Sequence, residues 1–370
     1  MARIVIGMSG GVDSAVAAWL LKQQGHEVIG VTLRTWDRES SRCCNVADAR
    51  LTAQAMDIEY HVISCAADFK RKVEDPFVES YLRGITPNPC VTCNRDIKWE
   101  WLIYAANIFH AEAVASGHYV SKVQMDNGRY TLRQARDEKK DQSYMLYCLT
   151  QEQLAATIFP LGGLTKQEVR QIADEAGLPS AQNADSQEVC FVSQDNYADF
   201  IKEHSPENTL GVGNFVDDTG KILGRHQGII HYTVGQRKGL GLALGYPAYV
   251  KNIRADTKEV VISEEAGIYR DAISCENTKF LSISGLPEGS SLKAMVKIRY
   301  HHKGVLALVE SCGKDRVLIR FESPARAPAP GQSAVFYDEN KCVIGGGIIQ
   351  QESPSETDTG GIKDANKNSS

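Results

Sequence analysis

Two sets of residues in this sequence have types and spacings that could do chemistry. The first is Ser9-Gly10-Gly11-Val12-Asp13-Ser14, between a run that reads as a strand and one that reads as a helix. Two glycines let backbone approach a polyphosphate, the serines offer hydroxyl donors, and a helix N-terminus presents aligned N–H groups and a positive dipole end. No Gly-x-x-x-x-Gly-Lys-Ser/Thr is present, so this is not a Walker loop aimed at γ-phosphate transfer. A bare Gly-Gly would be an ordinary turn; the whole hexamer in this setting points to ATP. The second set is sulfur. Thr86-Pro87-Asn88-Pro89-Cys90-Val91-Thr92-Cys93-Asn94 is a proline-stiffened loop carrying Cys-x-x-Cys, and Cys190 follows in Asp185-Ser186-Gln187-Glu188-Val189-Cys190-Phe191. Cys-x-x-Cys alone could be half a zinc site, a redox pair or coincidence, and no second one follows at zinc-ribbon spacing. The adjacent Cys43-Cys44 are poorly placed to ligate one zinc.

The elements around these residues define the frame. Ile4–Met8, Val28–Leu33, Tyr60–Ser64 and Ala113–Ser116 read as strands, and Ser14–Gln24, Val46–Met56, Asp68–Leu82 and Ile97–Phe109 as helices. Such alternation predicts a parallel sheet covered on both faces. Leu33 and Gly117 then fall at the carboxyl ends of strands, where open α/β sheets bind ligands, so both are expected to line the nucleotide pocket. Asp126-Asn127-Gly128 predicts a hairpin. Thr165 with Glu168 predicts a capping box. Beyond about residue 205 the texture turns β-rich, with strands expected at Gly228–Val234, Ala248–Ile253, Glu259–Ser263, Ala294–Tyr300, Val305–Ser311, Val317–Phe321 and Ser333–Tyr337. The expected domains are an α/β, Rossmann-like unit over 1–205, a small β-rich unit over 206–280 and a β-barrel over 281–352. A polar tail over 353–370 has too little to bury and is expected to be disordered.

With 370 residues, 42% hydrophobic and 24% charged, the chain has the make-up of a globular protein of several domains. No apolar run reaches the length of a membrane helix, which takes about 20 residues. The first residues enter a strand pattern without a leader, so a cytoplasmic protein is expected. A net charge of −5 does not advertise a nucleic-acid binder, so any RNA contact must use local patches. Ten cysteines in that compartment are not a disulfide framework. Cys65, Cys148, Cys275, Cys312 and Cys342 lie in or beside apolar stretches and are expected to be buried and inert.

The hexamer resembles the pyrophosphatase loop of the PP-loop ATPases, which cleave ATP to AMP and pyrophosphate. Pro-Asn-Pro-Cys-x-x-Cys-Asn, Ser-Gly-His-Tyr, Lys-Asp-Gln-Ser-Tyr, Asp-Ser-Gln-Glu-x-Cys-Phe and Tyr-Thr-x-Gly-Gln-Arg-Lys-Gly-Leu-Gly follow in order over roughly residues 4–350. Together they resemble the tRNA-specific 2-thiouridylases. The resemblance implies ATP at Gly7 and Met8 and along Ser9, Gly10, Gly11, Val12, Asp13 and Ser14, with Asp13 near a Mg²⁺. It implies Cys93 as nucleophile and Cys190 as the residue that accepts sulfur as a persulfide. It implies tRNA contacts at Asn88, Pro89, Cys90, His118, Lys140, Asp141, Gln142, Arg299, Tyr300 and Gln332. It also implies tRNAs with wobble uridine, of the Lys, Glu and Gln type, and a sulfur donor such as a cysteine desulfurase or a sulfur relay protein. In some relatives an iron–sulfur cluster is proposed, whose ligands here would be Cys90, Cys93 and Cys190.

The residue types suit that reaction. The C2 carbonyl of uridine is a poor electrophile, and adenylating O2 turns oxide departure into phosphate-ester departure. Sulfur must then arrive as a soft nucleophile, a persulfide or a cluster-bound hydrosulfide. Gln236-Arg237-Lys238-Gly239-Leu240-Gly241 and Lys297-Ile298-Arg299-Tyr300-His301-His302-Lys303 are the densest basic or aromatic patches and could grip phosphates and stack a base. His301 and His302 are not expected to share a metal, because neighbours in a strand face opposite ways. Another PP-loop enzyme, such as an amide- or argininosuccinate-type synthetase, would have no use for the cysteines. A silent tRNA-binding module would not need the hexamer.

Overall fold

The computed structural model describes residues 1–36, 45–183, 189–192, 197–205 and 211–351. Cys43, Cys44, Asp185–Glu188 and the expected tail lie outside the described residues.

Five parallel strands form the first sheet, in the order Glu59–Ser64, Glu27–Arg34, Arg3–Gly7, Ala113–Ala115, Thr157–Ile158. Side-chain alternation splits its core. Ile4, Ile6, Val28 and Ala115 pack against Val16, Leu21, Ala49 and Val169 of the helices Val12–Gln23, Val46–Ala55 and Lys166–Glu175. Val5, Ile29, Val31 and Val114 face Phe69, Phe77, Leu102 and Phe200 on the other side. The expected capping box is formed: Thr165 accepts from the Glu168 N–H and Glu168 reaches back to Thr165 N, an arrangement worth about 1 kcal/mol at an N-cap.

The chain leaves Arg3–Gly7 towards one side of the sheet and returns to pair on its other side with Ala113–Ala115. The gap between these two strands is therefore the switch point at which open α/β sheets bind ligands. Two of the covering helices are broken by wide turns. Helical residues Ala66–Phe69 and Asp75–Leu82 flank a π turn at Lys70–Glu74, and Pro89–Cys93 and Trp99–Ile108 flank another at Asn94–Lys98. The second follows Cys93 directly.

The hairpin is present, Val120–Gln124 against Tyr130–Gln134, with Gly128 at φ +80°. It also docks the C-terminal unit: the Arg129 guanidinium donates to the carbonyls of Leu281 at 2.8 Å and Phe280 at 3.2 Å. Val91, Trp99, Leu132, Tyr144 and Leu146 share one apolar cluster with Leu281, Val335, Tyr337 and Val343.

The central unit is a four-stranded sheet, ordered Tyr249–Arg254, Glu259–Ser263, Gly213–Val216, Ile222–His226. The strand expected at Gly228–Val234 is instead a 3-10 turn at Ile229–His231, because Gly228 at φ +133° and Gly235 at φ +88° turn the chain at either end. The C-terminal unit is a closed six-stranded barrel. Its first strand, Tyr269–Phe280, lies before the boundary expected at 281; it belongs to the barrel because Cys275 pairs with both Val317 and Ile349. The strand expected at Ala294–Tyr300 is Ser291–Lys297, so Arg299 and Tyr300 occupy the turn that follows. His301 and His302 lie in that irregular stretch too, so the alternation argument does not apply to them. Among the described residues no helix is long and apolar enough to cross a membrane.

Candidate active site

Residues Met8–Gly11 connect the first strand to the helix Val12–Gln23 at the switch point. The loop is tied to itself: the Ser14 hydroxyl donates to Gly11 O at 3.0 Å, accepts from Ser9 N at 3.2 Å and lies 3.3 Å from the Ser9 hydroxyl. No side chain caps the helix at Gly11, so its first N–H groups are left to the loop. Met8 and Val12 are buried and can offer a ligand only backbone, whereas Ser9 is exposed. Gly7 ends the strand, and a Cβ on Gly117 would come within 2.8 Å of Asp13 C and Ser14 N. Position 117 therefore has to be glycine for the two switch-point loops to meet. Leu33, one residue from the end of its strand, is buried in the core cluster that also holds Cys93.

Asp13 is more engaged than its sequence context suggested. Its Oδ1 accepts from Lys166 Nζ at 2.7 Å and from the Tyr119 hydroxyl at 2.7 Å. Lys166 begins the helix after the fifth strand, so the capping box at Thr165 marked the right sheet end, but nothing local tied it to Asp13. Asn183 adds a further clamp, donating to Gly10 O and to Asp48 Oδ2, both at 3.0 Å.

Cys90 and Cys93 lie on the short helix Pro89–Cys93, with proline in its first turn; Cys90 is exposed and Cys93 buried. Asn88 donates to Met145 Sδ at 3.5 Å and Asn94 to Met145 O at 3.0 Å, so residues 88–94 are gripped by the 143–148 segment. Cys190 is half-buried in the turn Val189–Val192, anchored by Phe191 among Phe69, Phe77 and Phe200. Cys93 and Cys190 pack against one apolar cluster, so two segments about a hundred residues apart meet at the same core. Cys65, Cys148, Cys275 and Cys342 are buried as expected. Burial pushes the Cys148 thiol up to about 12 and raises Cys275 as well, which keeps both protonated and inert. Cys312 departs from expectation: it is exposed, at the end of a strand where the chain turns.

His118 follows the fourth strand. Its Nδ1 lies 2.6 Å from the Ser116 hydroxyl and its ring 5.6 Å from that of Trp99. Burial, with the Lys98 charge second, holds its pKa well below the usual histidine value, so the ring stays neutral. Gln142 is laced to the next residue, accepting from Tyr119 N and donating its own N–H to Tyr119 O, both at 2.9 Å. Lys140 is half-buried beside it. Asp141 was expected to touch RNA, but its carboxylate is buried, accepting from Ala135 N, Ser143 N and the Ser143 hydroxyl, with Lys297 Nζ at 3.8 Å. It supports the segment from within, and desolvation raises its pKa despite those bonds.

Tyr300 closes the site from the barrel. Desolvation pushes its hydroxyl up to about 12, and the residue packs against the apolar cluster that holds Val91 of the cysteine helix, with its ring 6.3 Å from that of Tyr144. Arg299 donates to Arg326 O at 3.5 Å, and Arg326 and Arg237 both lie over the Tyr249 ring, at 5.3 and 6.0 Å. A basic run thus links Arg237, at the edge of an open groove of about 510 Å³ in the central unit, to Tyr300. Gln332, expected to face RNA, turns its amide towards the Thr86 and Pro87 carbonyls.

Three family models match the chain in order: a tRNA methyl transferase HUP domain over residues 2–194, a tRNA methyl transferase PRC-barrel domain over 198–264 and an aminomethyltransferase β-barrel domain over 270–349. A tRNA-specific 2-thiouridylase of Lachnoclostridium phytofermentans is 46% identical over 94% of this chain and 99% of its own. Another, of Clostridium perfringens, is 45% identical over 94% and 98%. The chain belongs to the tRNA-specific 2-thiouridylase family. This 2-thiouridylase-family chain offers different donor sets to the two groups the resemblance implies. A Mg²⁺ bound with ATP takes most of its ligands from phosphate and water and one or two carboxylates from protein, and Asp13 beside the loop fits that need. A cluster is different. Among the described residues no three His, Cys, Asp or Glu side chains gather as a metal site would require. Cys90, Cys93 and Cys190 are not gathered into such a group among the described residues.

Proposed function

We propose that this protein is a tRNA 2-thiouridylase that uses ATP and Mg²⁺ to adenylate O2 of a wobble uridine and replaces that oxygen with sulfur carried as a persulfide on Cys190. The observation that carries this reading is the convergence of Cys93 and Cys190 on one apolar cluster, in a domain whose switch point holds the Ser9–Ser14 loop.

The uridine O2 attacks the α-phosphorus, forming the O–P bond as pyrophosphate leaves with its charge at the loop and helix N-terminus. The neutral His118, with Trp99 behind it, meets the base by hydrogen bonding or stacking and not by charge. The terminal persulfide sulfur on Cys190 attacks C2, and AMP departs. The Cys93 thiolate then attacks the Cys190 sulfur, so that the S–S bond breaks, 2-thiouridine is released and a Cys93–Cys190 disulfide remains. An external thiol reduces that disulfide, and a donor such as a cysteine desulfurase or relay protein reloads Cys190, in a cytoplasm that keeps thiols reduced. Asn88, Pro89, Cys90, Lys140, Gln142, Arg299 and Tyr300 are the proposed tRNA contacts, with Asp141 as their support and Gln332 as an acceptor. Wobble-uridine tRNAs of the Lys, Glu and Gln type are the proposed substrates.

The test is a single incubation with ATP, Mg²⁺, unmodified tRNA and a persulfide donor. One AMP and one pyrophosphate per 2-thiouridine are expected, and none of the three without tRNA. AMP release without thiolation would favour another PP-loop synthetase.

Since the chain is acidic overall, affinity must come from the basic run. Arg237→Ala/Lys238→Ala is expected to weaken tRNA binding and to lower the slope of log K against log salt by about two, one per lost phosphate contact. ATP binding should not change. An unaltered filter-binding titration would make this patch an ordinary solvated turn.

A further inference from the structure

Residues 330–332 of the barrel clasp residues 85–87 of the first domain. Thr86 N donates to Pro330 O at 2.9 Å. Gly331 sits at φ +90°, where a Cβ would come within 2.3 Å of Ile85 Cγ2 and 2.9 Å of Thr86 O. The Gln332 amide nitrogen donates to Thr86 O at 3.0 Å and to Pro87 O at 3.1 Å. Gln332 is itself held in the barrel, its N–H donating to Ala329 O at 3.1 Å and its carbonyl accepting from Ile349 N at 2.9 Å.

The clasp ends one residue before Asn88, from which the Pro89–Cys93 helix starts without a side-chain cap. Pro89–Cys93 is the first turn of a helical run that continues through the wide turn at Asn94–Lys98 to Ile108. A first turn has no helical residues before it to hold its N–H groups and frays most easily, so its place depends on what holds its entry. The 143–148 segment holds one flank through Asn88 and Asn94. The entry is held by the barrel.

We infer that Gln332 is a positioning residue through which the C-terminal barrel sets the place of Cys93. A side-chain amide has two N–H hydrogens, and both are directed at the turn. Only its oxygen is left to meet an RNA hydroxyl or base N–H. A tRNA that touches Gln332 therefore touches the residue that fixes the cysteine helix. The catalytic consequence rests on the role proposed for Cys93; the structural one does not.

The experiment compares Gln332→Glu, Gln332→Ala and Gln332→Asn with the unaltered protein. Glu keeps the size but sets acceptor oxygens against two carbonyls, and Asn keeps the amide one methylene short. Iodoacetamide alkylation of each cysteine is followed by peptide mass spectrometry without tRNA, ATP or sulfur donor. Exposed Cys312 serves as the reference and buried Cys275 as the monitor of folding. Loss of two hydrogen bonds should raise the Cys93 alkylation rate roughly tenfold in the Glu and Ala variants, with Asn between, while Cys275 stays protected. In the thiolation assay kcat should fall, by as much as about 10²-fold for a misplaced reacting group, with little change in the KM for tRNA. An unchanged Cys93 rate in the folded variants, with the effect confined to the KM, would overturn the inference and leave Gln332 a tRNA contact alone. A variant that uncovers Cys275 has unfolded, and the Cys93 rate of the milder Asn variant then decides between the two. Since the alkylation needs no substrate, it stands whether or not the thiolation reading does.

Discussion

Cys190→Ala should abolish 2-thiouridine formation, by about 10⁴-fold or more as expected when a covalent carrier is removed, while still releasing pyrophosphate with tRNA and accumulating the adenylated tRNA. Cys93→Ala should match it in lost product but differ in what accumulates. It loads sulfur on Cys190 and then stops, because no second thiolate is placed to attack the Cys190 sulfur. Mass spectrometry after incubation with a persulfide donor is expected to show an added sulfur on the Cys190 peptide in Cys93→Ala and none in Cys190→Ala. The asymmetry has a structural basis: Cys93 is buried on a helix gripped from two sides, whereas Cys190 is half-exposed at a turn and can meet a donor. Cys90→Ala, which removes an exposed thiol, should keep most of the rate in the persulfide route. In an iron–sulfur route all three variants would lose iron and activity together. Normal product from Cys190→Ala would end both routes.

Asp13→Ala should cut tRNA-dependent AMP formation by about 10²–10³-fold, the usual effect of deleting one preorganised electrostatic partner in a closed site. Two effects act together. The carboxylate suited to Mg²⁺ is gone, and Lys166, whose side chain is only 12% exposed, loses the anion 2.7 Å away. Its ammonium then turns to pyrophosphate and slows the release of that product. Lys166→Met should also lower the rate, and Asp13→Ala/Lys166→Met should be little worse than Asp13→Ala alone, since groups in one contact network do not add. AMP chromatography with circular dichroism as the check on folding decides it. A folded Asp13→Ala protein with undiminished AMP release would remove the loop from the ATP site. Additive losses would separate Lys166 from Asp13.

The legible parts of this protein are those whose cause is local. Ser9–Ser14 could be read because its flanking runs declare a strand and a helix, and the helix entry dictates where its N–H groups point. Asn127-Gly128 and the Thr165/Glu168 pair were readable for the same reason: each is satisfied within a few residues. The parts that escaped are those where the backbone answers to something far away. Val343–Ile349, with Gly345, Gly346 and Gly347, is not among the strands expected from the sequence. In the barrel those glycines admit the close approach of Lys279 O, Tyr147 and Thr278, so the run is a strand because of its neighbours.

Side chains show the same division. The sequence by itself determined which groups are present and how the short motifs fold: the phosphate-type loop, the stiff Pro-Asn-Pro turn before Cys93, and the α/β order that brings strand ends together. Whether each group faces a ligand was decided only by tertiary packing. Asp13 meets Lys166 across 153 residues and Gln332 meets Thr86 across 246. Asp141, implied by the resemblance as a tRNA contact, is instead buried, with Lys297 Nζ of the barrel 3.8 Å from its carboxylate. Charge and polarity are properties of a residue, but exposure and hydrogen-bond partners belong to the surface packed against it. That surface comes from parts of the chain whose proximity no local pattern encodes.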